Sequence, residues 1–294
     1  MYSAPPDVDP FTEAALKAAN PLWDYGQNKD ELRAMATARR MPSLATRYRN
    51  LNLNQRVAAA TPFVSPEAWS ACGGEPINFE GKSVYAAIDL SESGDLTVLA
   101  LAHRDQSGTW HAKVHFFLPA EGLHERAHAD HAPYDIWSEA GYIELTPGKV
   151  ISYTFLAERV RELFNEYAIE KFAFDAWHFS ALKDALLRVG FTESMIENKF
   201  VAFQQGFKSM SPAVRELETI IMEGKLKHGN NPCLNWCMSN VAIERNATNE
   251  RKFAKRKSIG RVDGAVALLM AIGSAPQGQA AEFDPETLVS WVDV

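Results

Sequence analysis

The stretch Ser83-Val84-Tyr85-Ala86-Ala87-Ile88-Asp89-Leu90 is a short apolar run that ends at an aspartate, and it predicts a β-strand. The next residues, Ser91-Glu92-Ser93-Gly94-Asp95, are typical of a turn, and Leu96-Thr97-Val98-Leu99-Ala100-Leu101-Ala102 is a second apolar run. Two such runs joined by a Ser/Gly/Asp turn predict a β-hairpin, and Thr109–Leu118 predicts a third strand. We therefore expect the sheet to open with an antiparallel meander.

Helices and strands alternate downstream of the meander. Apolar residues recur at helical spacing from Leu156 to Tyr167, and Lys171–Asp175 predicts the strand that follows. The next expected elements are a helix over 182–189 ending at Gly190, a strand over 200–203, and a helix that opens at Ser211-Pro212 and ends at Gly224. Residues 264–272 are apolar all round, which predicts a buried helix. The sequence thus predicts an α/β fold with a mixed sheet flanked by helices.

Residues 1–80 have a different character, with eight prolines and no strand-like run. Asp9-Pro10 predicts the start of a short helix over 10–20, and residues 29–49 predict a second, charged helix. We interpret residues 1–80 as a helical arm without a core of its own, which needs a partner surface. Residues 81–277 form the main domain in this scheme, and 278–294 form a C-terminal tail of unassigned structure.

Composition excludes several classes of protein. The chain has 294 residues, 46% of them apolar, and three cysteines, which is typical of a globular protein without a disulfide framework. We find no membrane-spanning run and no secretory signal, and expect a reducing cytoplasm. The net charge of −7 argues against coating of nucleic acid by bulk charge but leaves room for a local basic patch.

Three aspartates occupy comparable places in the predicted elements. Asp89 ends the first strand, Asp175 ends a later strand, and Asp263 opens the buried helix. A carboxylate at the rim of an apolar sheet is costly unless it is paired or bound to metal. Three converging carboxylates would repel one another, and Mg²⁺ or Mn²⁺ relieves that repulsion; two such ions are a standard device for phosphodiester hydrolysis. Each aspartate alone is equally typical of a turn or a helix cap.

A basic segment precedes Asp263. Seven cations lie between residues 245 and 261, against Glu250 alone. Such a loop would bring backbone phosphates to the aspartates by contacts that do not depend on base sequence, although charge runs are often merely solvated. The candidate DNA-binding residues are Arg245, Arg251, Lys252, Lys255, Arg256, Lys257 and Arg261.

Other residues attract weaker hypotheses. His178, close after Asp175, is a candidate partner of a phosphate or of a metal-bound water, and Asp95 is a further candidate that turn chemistry also explains. The histidines at 124, 128 and 131 have metal-like spacing, but we interpret residues 121–135 as a polar loop. Cys233 and Cys237 indicate helix packing more than a metal site.

The residues of five segments match the sequence motifs of one family. They are Ala87–Ser91 with Asp95-Leu96-Thr97, Phe174–Trp177, Ile259–Leu268, Gly224–Pro232 followed by Trp236 and Asn240, and Asn52-Leu53-Asn54. They keep the family's order and resemble the nuclease domain of the large terminase subunit of tailed bacteriophages, in its HK97-like branch; the likeness covers most of residues 50–275.

The resemblance implies an RNase H-like fold that cuts double-stranded DNA during genome packaging, with Asp89, Asp175 and Asp263 as the metal-binding acids. It implies as partners the small terminase subunit, the portal protein and a packaging ATPase, in the cytoplasm of a bacterial host. Family members carry that ATPase before the nuclease, whereas no G-x-x-x-x-G-K-[ST] motif occurs here. Residues 1–80 resemble the end of the ATPase region, so we expect a truncated terminase or one half of a split system, without an ATPase site in this chain.

Three alternatives remain open at this point. A sugar-kinase or actin-like ATP-binding protein also has a phosphate loop after a strand ending in Asp, but needs a second Gly-rich loop late in the chain. A non-catalytic remnant would only dock onto packaging proteins. Transposases and junction resolvases share the fold family, although transposases usually close their acid triad with Glu. The nuclease hypothesis predicts that Asp89→Asn abolishes cleavage and leaves the fold intact or better stabilised.

Overall fold

The computed structural model describes residues 2–5, 8–26, 28–40, 48–55, 63–90, 96–176, 179–255, 258 and 260–276. Within these residues, one mixed sheet has the strand order β4-β3-β2-β1-β5-β6, with β7 also paired to β3, and a separate two-stranded hairpin is formed by β8 and β9. The strands are β1 Ser83–Asp89, β2 Thr97–Arg104, β3 Trp110–Pro119, β4 Ile143–Thr146, β5 Ala168–Phe174, β6 Phe200–Ala202, β7 Leu226–Lys227, β8 Ile243–Arg245 and β9 Arg251–Phe253.

The expected antiparallel meander is confirmed. β1 pairs antiparallel with β2, and β2 with β3. β5 then returns parallel to β1, with Ile88 opposite Phe174, and β6 joins parallel to β5. The parallel pairing of β1 and β5 brings the carboxyl ends of both strands to the same edge of the sheet.

The helices cover both faces of the sheet. Their bounds are α1 Glu13–Ala19, α2 Lys29–Arg40, α3 Pro66–Ala71, α4 Leu123–Asp130, α5 Tyr134–Glu139, α6 Tyr153–Glu166, α7 Phe179–Arg188, α8 Glu193–Lys199, α9 Phe207–Met222, α10 Pro232–Ser239 and α11 Asp263–Gly273. None of the helices within the described ranges is long and apolar enough to cross a membrane.

Alternate side chains of β1 and β5 pack into two hydrophobic cores, one on each face of the sheet. Ala87 and Ala173 belong to a core that includes α9, α10 and the fully buried α11. Ile88 and Phe174 belong to the core on the other face, where α6, α7 and α8 pack. Because strand residues alternate between faces, the positions after Ile88 and Phe174 return to the α11 face.

Two helix predictions are wrong in detail. The helix expected to open at Ser211-Pro212 begins at Phe207 and carries Pro212 inside it. The apolar face through Met210, Val214 and Leu217 is buried, so packing outweighs the hydrogen bond that proline removes. The polar loop expected over 121–135 holds α4 and the start of α5, because Tyr134 and Trp137 bury apolar surface there.

The N-terminal region has a small core of its own, contrary to expectation. Leu16, Trp23, Tyr48 and Leu53 are buried together, because the chain folds back on itself with Ala4 N–H donating to the Leu53 carbonyl. The first helix begins at Glu13 with Thr12 as its N-cap, later than Asp9-Pro10 predicted. Residues 278–294 lie outside the described residues, and the domain boundaries at 80/81 and 277/278 stay predictions.

Candidate metal centre

The ends of β1 and β5 place two aspartates side by side. Asp89 is the last residue of β1, and Asp175 directly follows Phe174, the partner of Ile88 in the parallel register. Both positions follow residues of the opposite face, so alternation puts them on the α11 side of the sheet. The Asp89 side chain is only 3% exposed, whereas Asp175 is partly exposed.

The first turn of α11 supplies the third aspartate. Asp263 is the first residue of the helix, Val262 is the N-cap, and no side chain caps the helix. Gly264 lets this turn approach β3 closely, because a Cβ at that position would lie 2.8 Å from two ring carbons of Phe116. The helix itself packs across β1 and β2, which brings Asp263 to the edge where Asp89 ends its strand.

Lys255 links two of these aspartates. Its Nζ lies 2.7 Å from Oδ2 and 3.1 Å from Oδ1 of Asp89, and 3.5 Å from Oδ1 of Asp263. Desolvation alone would lower the pKa of Lys255, but the charges of Asp89 and Asp263 outweigh it and raise that pKa above its ordinary value. The lysine is therefore a fixed positive charge between two carboxylates.

Gln205 is a second neighbour of Asp89 that the sequence interpretation missed. Its Nε2 donates to Oδ1 of Asp89 at 3.2 Å. The residue follows β6, which pairs parallel to β5 and so ends at the same edge of the sheet. A polar side chain just after a predicted strand was the signal that could have found it.

The structure places the three predicted aspartates at one edge of the sheet. Asp89 and Asp263 share the ammonium of Lys255 directly. Within the ranges that the structure describes, no group of three His, Cys, Asp or Glu side chains has the spacing to hold a metal ion. Asp95 and His178, predicted as further members of the site, lie outside the described residues.

The first part of the basic segment belongs to the β8–β9 hairpin, where the sequence predicted a loop. Asn246 and Asn249 shape its turn, where Asn246 Oδ1 accepts from the backbone N–H of Glu250 and Asn249 adopts a φ of 61°. A cleft of about 410 Å³ between α9 and this hairpin is lined by Arg215, Arg245 and Arg251, among others.

The predicted DNA-binding cations have different surroundings. Arg251 forms a two-pronged ion pair with Glu218, and Lys252 pairs with Glu244. Lys255 faces the aspartates, and Arg261 Nε donates to Oδ2 of Asp130 at 2.9 Å. Arg256 and Lys257 lie outside the described residues. Arg245 donates to the turn residue Asn249 at the hairpin surface.

The histidines of residues 124–131 and the two cysteines of α10 lie in two separate helices. His124 and His128 lie on α4 and His131 ends it, and no metal-holding cluster forms there among the described residues. Cys233 and Cys237 are buried free thiols on α10, as expected for packing.

His228 is also structural, although it lies in one of the segments that carry the family resemblance. Its ring stacks on Trp69 at 3.9 Å, and its Nε2 donates to the Trp69 carbonyl. The segment that contains His228 therefore holds α3 against the sheet.

Comparison with known proteins identifies the family of the chain. The family model for the terminase large subunit, endonuclease domain, matches residues 1–279. The chain belongs to this terminase nuclease family. The terminase large subunit of Enterobacteria phage HK97 is 38% identical over 283 residues, covering 96% of this chain and 55% of that protein. Protein YmfN of Escherichia coli K12 is 25% identical, covering 94% of this chain and 62% of its own length.

The fold agrees as well. The crystal structure of the HK97 bacteriophage large terminase matches with a TM-score of 0.68 at 37% identity, covering 94% of this chain and 56% of that one. The fold is RNase H-like, and the family membership favours the nuclease over the kinase-like alternative. This terminase nuclease chain spans little more than half the length of those relatives.

Proposed function

We propose that the chain is a divalent-metal-dependent endonuclease that cuts double-stranded DNA during phage genome packaging. The observation that carries the proposal is the buried Asp89 carboxylate, which shares one cation with Asp263 at the edge where β1 and β5 end. A buried carboxylate that is held against a second carboxylate needs a cation between them. The family supplies the substrate class, DNA.

The donor set fits a hard divalent cation. Carboxylate oxygens are the ligands that Mg²⁺ and Mn²⁺ prefer, and the Lys255 ammonium marks a cation position within reach of Asp89 and Asp263. Asp89, Asp175 and Asp263 would hold the ions, and two ions are proposed. When bound, they supply a water of lowered pKa and stabilise the charge on the leaving 3′ oxygen.

The chain's own residues provide position and charge. Gln205 orients the Asp89 carboxylate through its hydrogen bond. Arg245 and the hairpin beside it bind the DNA backbone by charge, without reading bases. Asp175, from the adjacent strand, completes what we call the acid edge, formed by Asp89, Asp175 and Asp263. We expect loss of the Asp175 carboxylate to remove a ligand and to leave the Asp89–Lys255 pair in place.

The cellular setting is also proposed from the family. The small terminase subunit, the portal protein and a packaging ATPase supplied by another part of the terminase or another chain are the expected partners. The place of action is the cytoplasm of the bacterial host.

Cleavage of supercoiled plasmid tests this function. We expect nicking and linearisation by the wild type with Mn²⁺ or Mg²⁺, none in EDTA, and none by Asp175→Ala with either metal. Asp184→Ala, at an exposed aspartate of α7, is the matched control and should cleave normally. Absence of cleavage by folded wild-type protein contradicts the proposal: ATP binding would then indicate the kinase-like alternative, and no ATP binding would indicate the docking remnant.

A further inference from the structure

Lys255 joins a partly exposed side chain to a buried carboxylate. Its side chain is 40% exposed, yet its ammonium lies against an aspartate whose side chain is only 3% exposed. A surface ion pair typically contributes little, whereas a buried carboxylate without a counter-charge is costly. The benefit of this contact therefore lies with Asp89, which receives two of the lysine's three contacts to carboxylate oxygens.

The contacts of Lys255 are those of a cation ligated by oxygens. Both Asp89 oxygens and Oδ1 of Asp263 surround the ammonium at 2.7 to 3.5 Å. Gln205 supplies a further polar contact to Asp89 without adding charge. A divalent ion held by Asp89 and Asp263 would compete for the same oxygen atoms, because one carboxylate oxygen cannot contact both cations closely without bringing like charges together.

We propose that Lys255 is the resident counter-cation of the acid edge: its ammonium keeps Asp89 and Asp263 together before metal arrives and is displaced by the divalent ion. The inference rests on the proposed metal-dependent function. It assigns Lys255 a role in controlling metal occupancy, distinct from the DNA contact that its place in the basic segment predicts. Displacement is open to this residue because its side chain already reaches the surface.

The test compares Lys255→Met with Lys183→Met. Methionine keeps a long apolar stem and removes the charge. Lys183 is the matched control: its side chain is 37% exposed, and its Nζ lies 2.7 Å from a carboxylate oxygen of Glu193, the same distance as in the Lys255–Asp89 pair. Wild type and variants are measured by thermal unfolding in EDTA and by calorimetric titration with Mn²⁺, neither of which depends on activity.

Two results are expected for Lys255→Met. Its Tm in EDTA falls by about 5 °C or more, because Asp89 is left buried without a counter-charge, and saturating Mn²⁺ removes that deficit. Its Kd for Mn²⁺ falls by about tenfold, because no internal cation competes, which corresponds to about 1.4 kcal/mol. Lys183→Met should change neither the Mn²⁺ affinity nor the response of Tm to Mn²⁺.

A second variant keeps the test decisive if Lys255→Met does not fold. In Lys255→Arg the guanidinium can contact both carboxylates, so we expect Mn²⁺ to bind about tenfold more weakly than to the wild type. Mn²⁺ affinity unchanged in the variant that folds would overturn the inference while leaving the nuclease proposal intact. Failure of the wild type itself to bind Mn²⁺ or to cleave DNA would instead contradict the proposed function.

Discussion

A buried carboxylate is stable only where a counter-charge or hydrogen bonds offset its charge. Lys255 and Gln205 supply these contacts to Asp89. The sequence predicted Asp89, Asp175 and Asp263 because each stands at the end of a strand or the start of a helix, where local pattern is informative. It did not predict Gln205 or the role of Lys255. Their contacts with Asp89 join residues far apart in the chain, and tertiary folding alone decides them.

The lysine changes the expectation for Asp89→Asn. Relief of carboxylate repulsion predicted an equal or higher stability, but Lys255 already offsets that repulsion. We expect the variant to lose cleavage and to lose about 1–2 kcal/mol of unfolding free energy in EDTA, discounted for the half-exposed lysine. Urea unfolding in EDTA together with the plasmid assay measures both effects. A variant more stable than the wild type would show that repulsion between the carboxylates outweighs the contact of Asp89 with Lys255.

His228 predicts a pH dependence of stability. Burial lowers the pKa of this histidine below its ordinary value. The unfolded chain therefore takes up a proton near pH 6.5 that the folded protein takes up only at lower pH, so stability is full above pH 6.5 and declines as the pH falls. We expect the wild type to lose more unfolding free energy between pH 7.5 and 5.5 than His228→Gln, compared by urea unfolding. Equal losses would contradict a neutral, buried His228.

At the scale of the element, α11 is the structural support of the site. Its apolar pattern predicted a buried helix correctly, and the glycine after Asp263 lets its first turn pack against Phe116. Other elements escaped prediction where packing overrode a local signal, as at Pro212, or where polar residues concealed two short helices at 123–139. The β8–β9 hairpin was missed because its short strands are rich in charge.

Gly264→Ala tests the role of that close packing. The added Cβ would lie 2.8 Å from the Phe116 ring and 3.3 Å from Cys237 Cβ, so the helix start or the ring must shift. We expect a loss of about 1–3 kcal/mol in unfolding free energy and a larger loss of cleavage, because Asp263 moves with the turn. Gly206→Ala is the control, since nothing lies within 4 Å of a Cβ there. Unchanged stability and cleavage in Gly264→Ala would contradict the tight fit.

At the scale of the whole molecule, the charge is unevenly distributed. The chain carries a net charge of −7, yet Arg245, Arg251 and Lys252 lie on the β8–β9 hairpin and Lys255 lies beside Asp89 and Asp263. Several of these cations are paired with Glu218, Glu244 or Asp130, so counting charges in the sequence overstates the basic surface. The expected binding to DNA is thus local, electrostatic and sensitive to salt.

Arg245→Gln measures that local contribution. If Arg245 contacts a phosphate, the variant should bind duplex DNA more weakly, and the slope of log affinity against log salt should become shallower by about 1. Lys183→Gln, on α7 at the opposite face of the sheet, should leave the slope unchanged. Fluorescence anisotropy in EDTA at several salt concentrations gives both slopes without cleavage. An unaltered slope for Arg245→Gln would remove the hairpin surface from the DNA interface.

We propose that Asp89, Asp175 and Asp263 together hold divalent metal at the edge where β1 and β5 end. An anomalous difference map from crystals of the protein grown with Mn²⁺ locates the ion without reference to activity. We predict anomalous density bounded by these three carboxylates and absent in Asp89→Asn crystals. A map with no density at this edge, or with Mn²⁺ bound only elsewhere on the protein, would contradict a metal site formed by these three aspartates.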